Sequence, residues 1–292
     1  MPNLKETRTR ITSVSSTQQI TKAMKLVSAT KLRKAQTAIT RMRPYAEHLK
    51  NMLGNLSGSI EDVLLAKYFE EREPKKILLV VITSDRGLCG AFNANIVKKV
   101  RQLLTVKYAH LPKENITLLF CGKKGQDSFA RSGYPVISGY RDVFLDLNAG
   151  NVFELAGDLL ARFTDKEFDR VELVYNQFKN AATQIVTSEQ FLPVDISSFK
   201  SEEKAENDYI FEPSKVEILA DLVPRSLKTQ VYKALLDSFA SEHGARMVAM
   251  DKATENAGDL LKSLRLAYNQ ARQASITKEL SEIVGGAAAL NG

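Results

Sequence analysis

The stretch Ser241 to Leu290 contains no proline and almost no turn vocabulary, and it constrains the fold more than any other part of the chain. It reads as one long helix. Counting from Met250 on a 3,4 spacing gives Ala253, Ala257, Leu260, Leu264, Ala267, Ala271 and Ala274, a heptad seam dominated by alanine. Small seam residues allow a partner helix to approach closely. Extended back to Arg225, the helix covers about 60 residues, or roughly 90 Å at 1.5 Å per residue. A helix of that length must project from a domain or be sheathed.

The other end supplies a partner. On a 3,4 spacing from Leu4 the positions run Leu4, Thr7, Ile11, Val14, Gln18, Thr21, Lys25, Ser28, Leu32, Ala35, Ile39, Met42, Ala46, Leu49, Leu53 and Leu56, and eleven of these sixteen are apolar. Asn3 and Glu6 are spaced as a capping box at the start. The polar interruption from Gln18 to Ser28 coincides with a displaced apolar stripe of Ile20, Ala23, Met24 and Val27, so two different surfaces of this helix are engaged. Pro44 lies inside the pattern, where it kinks the helix or marks a change of surroundings; Gly54 and Gly58 end it.

Between the two ends the period changes. KKILLVVIT (75–83) and ITLLFCG (116–122) are continuous apolar runs of the kind buried on both faces of a sheet. Helical patterns follow at 93–109 and 123–132, and again at 151–163. Strands are expected at 171–176 and 184–192. Strand and helix in alternation indicate a parallel sheet. The polar, acidic 197–215 is an exposed loop, and Pro224 fits the first turn of the terminal helix. The fold class is therefore α/β: two long terminal helices (1–58 and 216–292) forming an antiparallel coiled coil, with a Rossmann-like parallel-sheet domain (59–215) inserted between them.

Charge is zoned. Residues 1–50 hold eleven Lys or Arg against two acids, whereas 51–224 hold 21 against 25 and 225–292 nine against seven. An acidic partner is expected at the N-terminal segment, whether nucleic acid, anionic lipid or protein. Its Arg-, Ser- and Thr-rich start resembles a mitochondrial transit peptide, but the helical seam argues for retained structure. Cys89 and Cys121 have neither CxxC spacing nor the density of a disulfide scaffold, and read as reduced, buried thiols of a cytosolic protein. The longest apolar run, Ile77 to Ile82, is too short to cross a bilayer.

Chemistry-bearing motifs are few. SDRGLCG (84–90) sits where an α/β fold binds phosphate on a helix N-terminus, yet neither it nor CGKKGQ (121–126) fits GxGxxG or GxxxxGK[ST]. A structural turn or protein contact is the favoured reading over a nucleotide site. His48, His110 and His243 are too dispersed for a metal site, and no nucleophile-base constellation can be assembled. The apolar Ile276, Leu280, Ile283 and Val284, followed by Gly285 to Leu290, would aggregate if free, so protein is expected around this tip.

LKETRTRITSVSSTQQITKAMKLVSATKLRKAQ, ITSDRGLCGAFN and ASEHGARMVAMDKATENAGDLLKSLRLAYNQARQASITKELSEIVGGAAAL together resemble the gamma subunit of F-type ATP synthase, over the whole chain and without the cysteine-bearing regulatory insertion of chloroplast forms. The resemblance implies a non-catalytic rotor without cofactors or metal, one copy per complex, turning inside the hexamer of alternating alpha and beta subunits. It further implies an α/β domain that binds epsilon and stands on the c-ring, and peripheral attachment through Fo to the cytoplasmic face of a bacterial inner membrane. Met24, Arg246, Arg272, Gln273, Thr277 and Glu279 match family segments that make rotor-to-stator contacts, and Ile283, Val284 and Leu290 match its apolar bearing tip. A basic coiled-coil protein binding nucleic acid, and a nucleotide-binding enzyme, are the alternatives.

Overall fold

In a computed structural model, residues 4–56, 67–195, 212 and 214–290 are described. Asn3 of the expected capping box, Gly58 and most of the 197–215 loop lie outside them. Helix α1 spans Leu4–Leu56. It is followed by β1 (Ile77–Ile82), α2 (Phe92–Gln102), β2 (Ile116–Cys121), α3 (Lys123–Phe129), β3 (Val136–Ile137), α4 (Ala149–Thr164), β4 (Arg170–Phe178), β5 (Gln184–Leu192) and α5 (Lys215–Leu290). Two compact units result, one of residues 1–28 with 247–292, the other of residues 29–246.

In the first unit the helices pair antiparallel. Lys25 meets Asp251 at 2.5 Å, while Gln18, about two turns earlier, donates from Nε2 to the carbonyl of Thr254, farther along α5, at 3.4 Å. The seam on α1 falls where its spacing places it: Thr7, Thr21 and Ser28 are buried and Leu4, Ile11, Val14, Gln18 and Lys25 partly so. The displaced stripe faces outward instead, with Ile20, Ala23 and Val27 exposed. Thr9, Thr12 and Thr17 each donate to the carbonyl four residues back, which satisfies their hydroxyls within the helix.

On α5 the seam needs correction. Leu260 is 49% exposed and its neighbour Leu261 only 6%. The expected Met250, Ala253, Ala257, Leu264, Ala267 and Ala271 are covered or partly covered, whereas Leu260 and Ala274 turn outward. Thr254, Leu261, Tyr268 and Ser275 join the covered face, which widens it on one side toward a more polar set. That set is tolerated at Thr254 because its hydroxyl is hydrogen-bonded across the pair.

The second unit is built on a five-stranded sheet of order β3-β2-β1-β4-β5. Strands β1 to β4 are parallel, and β5 runs antiparallel to β4. The five residues between β4 and β5 can close a hairpin but are far too few for a crossover. β1 is buried on both faces, as its unbroken apolar run requires. Leu78, Val80 and Ile82 join a core with α4, α5 and Leu53 of α1; Ile77, Leu79 and Val81 join a second core with α2. Asn148 caps α4 by accepting from the Asn151 amide at 2.8 Å.

Two further expectations differ. The helix after β1 does not run regularly to 109; it loosens into a π turn at Leu103–Lys107. That wider turn sets Lys107 and Tyr108 against Oε1 of Glu172, a carboxylate buried in the sheet. Pro224 does not open the terminal helix but lies within it, as Pro44 lies within α1. Each proline leaves the carbonyl four residues back without its donor; those carbonyls belong to Ala220 and Thr40, both exposed residues that water can reach.

Candidate functional site

Two features of this chain are built for contact. The first is the SDRGLCG turn. Thr83 ends the sheet with its amide on the Cys121 carbonyl (2.8 Å), and its side-chain oxygen takes the Gly125 amide (2.9 Å). Asn93, in the first turn of α2, accepts from the Ser84 amide (3.1 Å) and donates to Ser84 Oγ (2.7 Å). Ser84 Oγ donates in turn to the Arg86 carbonyl at 2.7 Å. Leu88 stands at the tip with φ of 63° and its side chain 65% exposed. The Ser84 amide and hydroxyl and the Arg86 carbonyl are thus engaged within the turn and with Asn93, which favours the structural-turn reading over a phosphate cradle.

Arg246 completes this turn from α5. It is only 7% exposed. Its Nη2 donates to the carbonyls of Arg86 (2.9 Å) and Gly87 (3.2 Å), and its Nη1 to Glu242 Oε1 (2.5 Å). Burial pushes the Glu242 carboxyl up from its ordinary range, against the pull of Arg246. His243 stacks edge-on against Phe239 at 4.4 Å between ring centres. Its imidazole is driven down to about 3, first by burial and then by the charges of Arg246 and Lys31. Arg246, expected at a surface contact, therefore lies inside its own chain. Cys89 is buried beneath the same turn; Cys121 is buried too, its thiol pushed up to about 12 by burial, and both are free.

The second feature is the far end of α5. Arg272, Gln273, Thr277, Glu279, Ile283 and Val284 are all exposed, the last two at 67%. Ile276 and Leu280 are exposed with them. At about 100° per residue these eight positions fall within a face roughly 160° wide, beside the seam of Ala271 and Ser275. The side chain of Leu290 lies outside the described residues. Met24 is half-buried within the exposed stripe of α1. What sequence reasoning missed is Leu261, Tyr268 and Ser275 in the seam and the left-handed Leu88; a 4,3 count would have found the first three.

Among the described residues no group of three His, Cys, Asp or Glu side chains could hold a metal ion, and no helix is long and apolar enough to cross a membrane. The sequence matches the ATP synthase family model over residues 3–290. It is similar to the ATP synthase gamma chains of Christiangramia forsetii (56% identical over 292 residues, all of both chains) and Cytophaga hutchinsonii (53% over 294 residues, all of both). It is also similar to a chain of the Tetrahymena thermophila mitochondrial ATP synthase central stalk and c-ring, at 28% identity and a TM-score of 0.58 over 80% of this chain and 99% of that one. A chain of the Euglena gracilis mitochondrial ATP synthase rotor shares the fold at 21% identity, with a TM-score of 0.61 over 94% of this chain and 98% of that one. The nucleic-acid alternative has no counterpart among these relatives. An antiparallel helix pair and a mostly parallel five-stranded sheet, in a chain matched from end to end at more than half identity, place it in the ATP synthase family, among its gamma chains.

Proposed function

We propose that the chain is the central-stalk rotor of an F-type ATP synthase. Its helix pair turns inside a hexamer of three alpha and three beta subunits, and its α/β domain binds epsilon and stands on the c-ring. The ATP chemistry belongs to the beta subunits, and this chain is non-catalytic. It is a peripheral subunit at the cytoplasmic face of a bacterial inner membrane, attached through Fo. Residues 1–58 and 216–292 are the shaft and 59–215 the foot.

The observation that carries this reading is the exposed face at the end of α5. It combines polar Arg272, Gln273, Thr277 and Glu279 with apolar Ile283 and Val284, next to a seam that α1 already covers. So much apolar surface at a helix end needs a protein sleeve, and the polar residues give it side chains that can be held and released. Met24 adds a contact from α1, and Leu290 belongs to the same bearing. An asymmetric shaft couples to three equivalent sites only if its contacts differ in free energy among their states. Co-expression with alpha and beta subunits tests the proposal. Native mass spectrometry should find three of each with one copy of this chain, and a hexamer that never retains the chain would refute it.

A further inference from the structure

The hydrogen bonds of Arg246 do more than bury a charge. Three donors converge on the Arg86 carbonyl: Arg246 Nη2 at 2.9 Å, Ser84 Oγ at 2.7 Å and, more weakly, Cys89 Sγ at 3.9 Å. Arg246 alone of these comes from another element, and it also takes the next carbonyl, Gly87, at 3.2 Å. Immediately after these two carbonyls the chain enters the left-handed region at Leu88, with φ of 63°. A bulky branched residue avoids that region, and strain of this kind persists only where the surroundings over-determine it. The side chain of Leu88 makes no compensating burial, being 65% exposed. The guanidinium is itself fixed: Glu242, one helical turn back on α5, holds Nη1 at 2.5 Å, and His243 Nδ1 lies 3.4 Å from the same nitrogen.

We propose that Arg246 is a latch, a positioning residue that locks α5 to the 84–90 turn through the Arg86 and Gly87 carbonyls and keeps that turn in the strained form that presents Leu88. A planar guanidinium suits the task because its two donors span adjacent carbonyls while its other side stays paired with a carboxylate. On the rotor reading, on which only this consequence rests, the latch carries force between the C-terminal helix and the α/β domain at a point where they are not joined by covalent chain.

The reporter is built in. Cys89 lies under the turn at 2% exposure, 3.3 Å from Asn93 Nδ2 and 3.7 Å from Ser84 Oγ. Cys121, on β2, is fully buried in the other of the two cores and serves as a control for global opening. In the full chain assembled with its partner subunits, N-ethylmaleimide labelling is followed at each cysteine by peptide mass spectrometry. Arg246→Met should raise the labelling rate of Cys89 at least about tenfold, a factor that corresponds to about 1.4 kcal/mol of lost preference for the closed turn, with Cys121 still protected. Adding Leu88→Gly, which removes the left-handed strain, should bring Cys89 labelling back toward the parent rate. If Arg246→Met exposes both thiols, the same second change decides: renewed protection of both supports the latch, and continued labelling of both overturns it. Unchanged Cys89 labelling in Arg246→Met, or no recovery on adding Leu88→Gly, also overturns it. Labelling reads the latch whether or not the chain rotates, so its failure leaves the rotor reading standing.

Discussion

Thr254 Oγ1 on α5 lies 2.8 Å from Thr21 Oγ1 on α1 and 2.7 Å from the Met250 carbonyl, sharing its one proton between them, and Thr21 donates to the carbonyl of Gln18 at 3.0 Å. This relay places polar side chains in the middle of a helix seam, beside the Lys25–Asp251 pair. It sets the register between the helices, because a slip of one residue would strand buried hydroxyls. Thr21→Val or Thr254→Val alone should cost about 1 kcal/mol, since each leaves one hydroxyl short of its cross-helix partner. The double valine variant should cost less than the sum of the two. A double-mutant cycle in urea unfolding checks this, with a coupling of about 0.5 kcal/mol or more expected.

Gly122, directly after β2, adopts φ of 99°, and a Cβ there would lie 2.1 Å from the Thr83 carbonyl oxygen. Neither the backbone conformation nor the space admits a side chain. Gly122→Ala should lose at least about 3 kcal/mol, from a strained φ together with a backbone clash in a packed core. Gly244, inside α5, is a milder case: its Cβ would sit 3.1 Å from Ala181 Cα at the β4–β5 hairpin tip, an exposed loop that can give way. Gly244→Ala should stay within about 1 kcal/mol of the parent, because helix propensity offsets the crowding. Thermal melts of both variants read the contrast.

Two buried groups of the second unit titrate in opposite senses. Asp237 is pushed up to about 6, chiefly by burial and by Glu189, against the opposing charges of Lys233 and Arg43. A carboxyl raised in the folded state stabilises fully below its unfolded value near 4 and loses that contribution as pH climbs to 6. His243, held down to about 3, does the reverse: its contribution is complete above the unfolded value of 6.5 and fades as pH falls. Between about pH 4 and 6 the two offset each other. Relative to the parent, Asp237→Asn should therefore become less stable as pH falls through this window, by up to about 1.4 kcal/mol per unit. His243→Gln should become more stable over the same range. Urea unfolding from pH 4 to 8 measures both slopes.

Arg272 and Gln273 are adjacent, exposed and outside the helix seam. Replacing both with alanine should leave the melting temperature of the chain within a degree or two, as surface changes do, while ATP-driven proton pumping by the reconstituted complex falls several-fold. Undiminished pumping would remove these two residues from the contact set.

The elements that could be read from sequence were those whose burial pattern is set by one partner surface. The run Ile77 to Ile82 announces a strand covered on both sides, and the α1 seam from Leu4 to Leu53 is followed residue by residue because its period never breaks. On α5 the alanine spacing marks only part of the covered face: Thr254, Leu261, Tyr268 and Ser275 share it, and Leu260 and Ala274 turn outward. Their cover depends on what stands opposite, which α5 alone does not disclose. Arg246 departs from surface exposure for a related reason. A charged residue in a helix is exposed by default, and only the approach of two carbonyls from residues 86 and 87, 160 positions away, draws it inside. The apolar character of the end of α5 was legible from composition alone, and Ile276, Leu280, Ile283 and Val284 are exposed there.

Rotation itself is the most direct test. With the alpha-beta hexamer fixed to glass and a bead tethered to the α/β domain through a cysteine introduced at exposed Val106, added ATP should drive the bead around in one fixed sense, and removing ATP should stop it. A bead that stays locked, or that only diffuses back and forth while the hexamer hydrolyses ATP, would contradict the rotor reading.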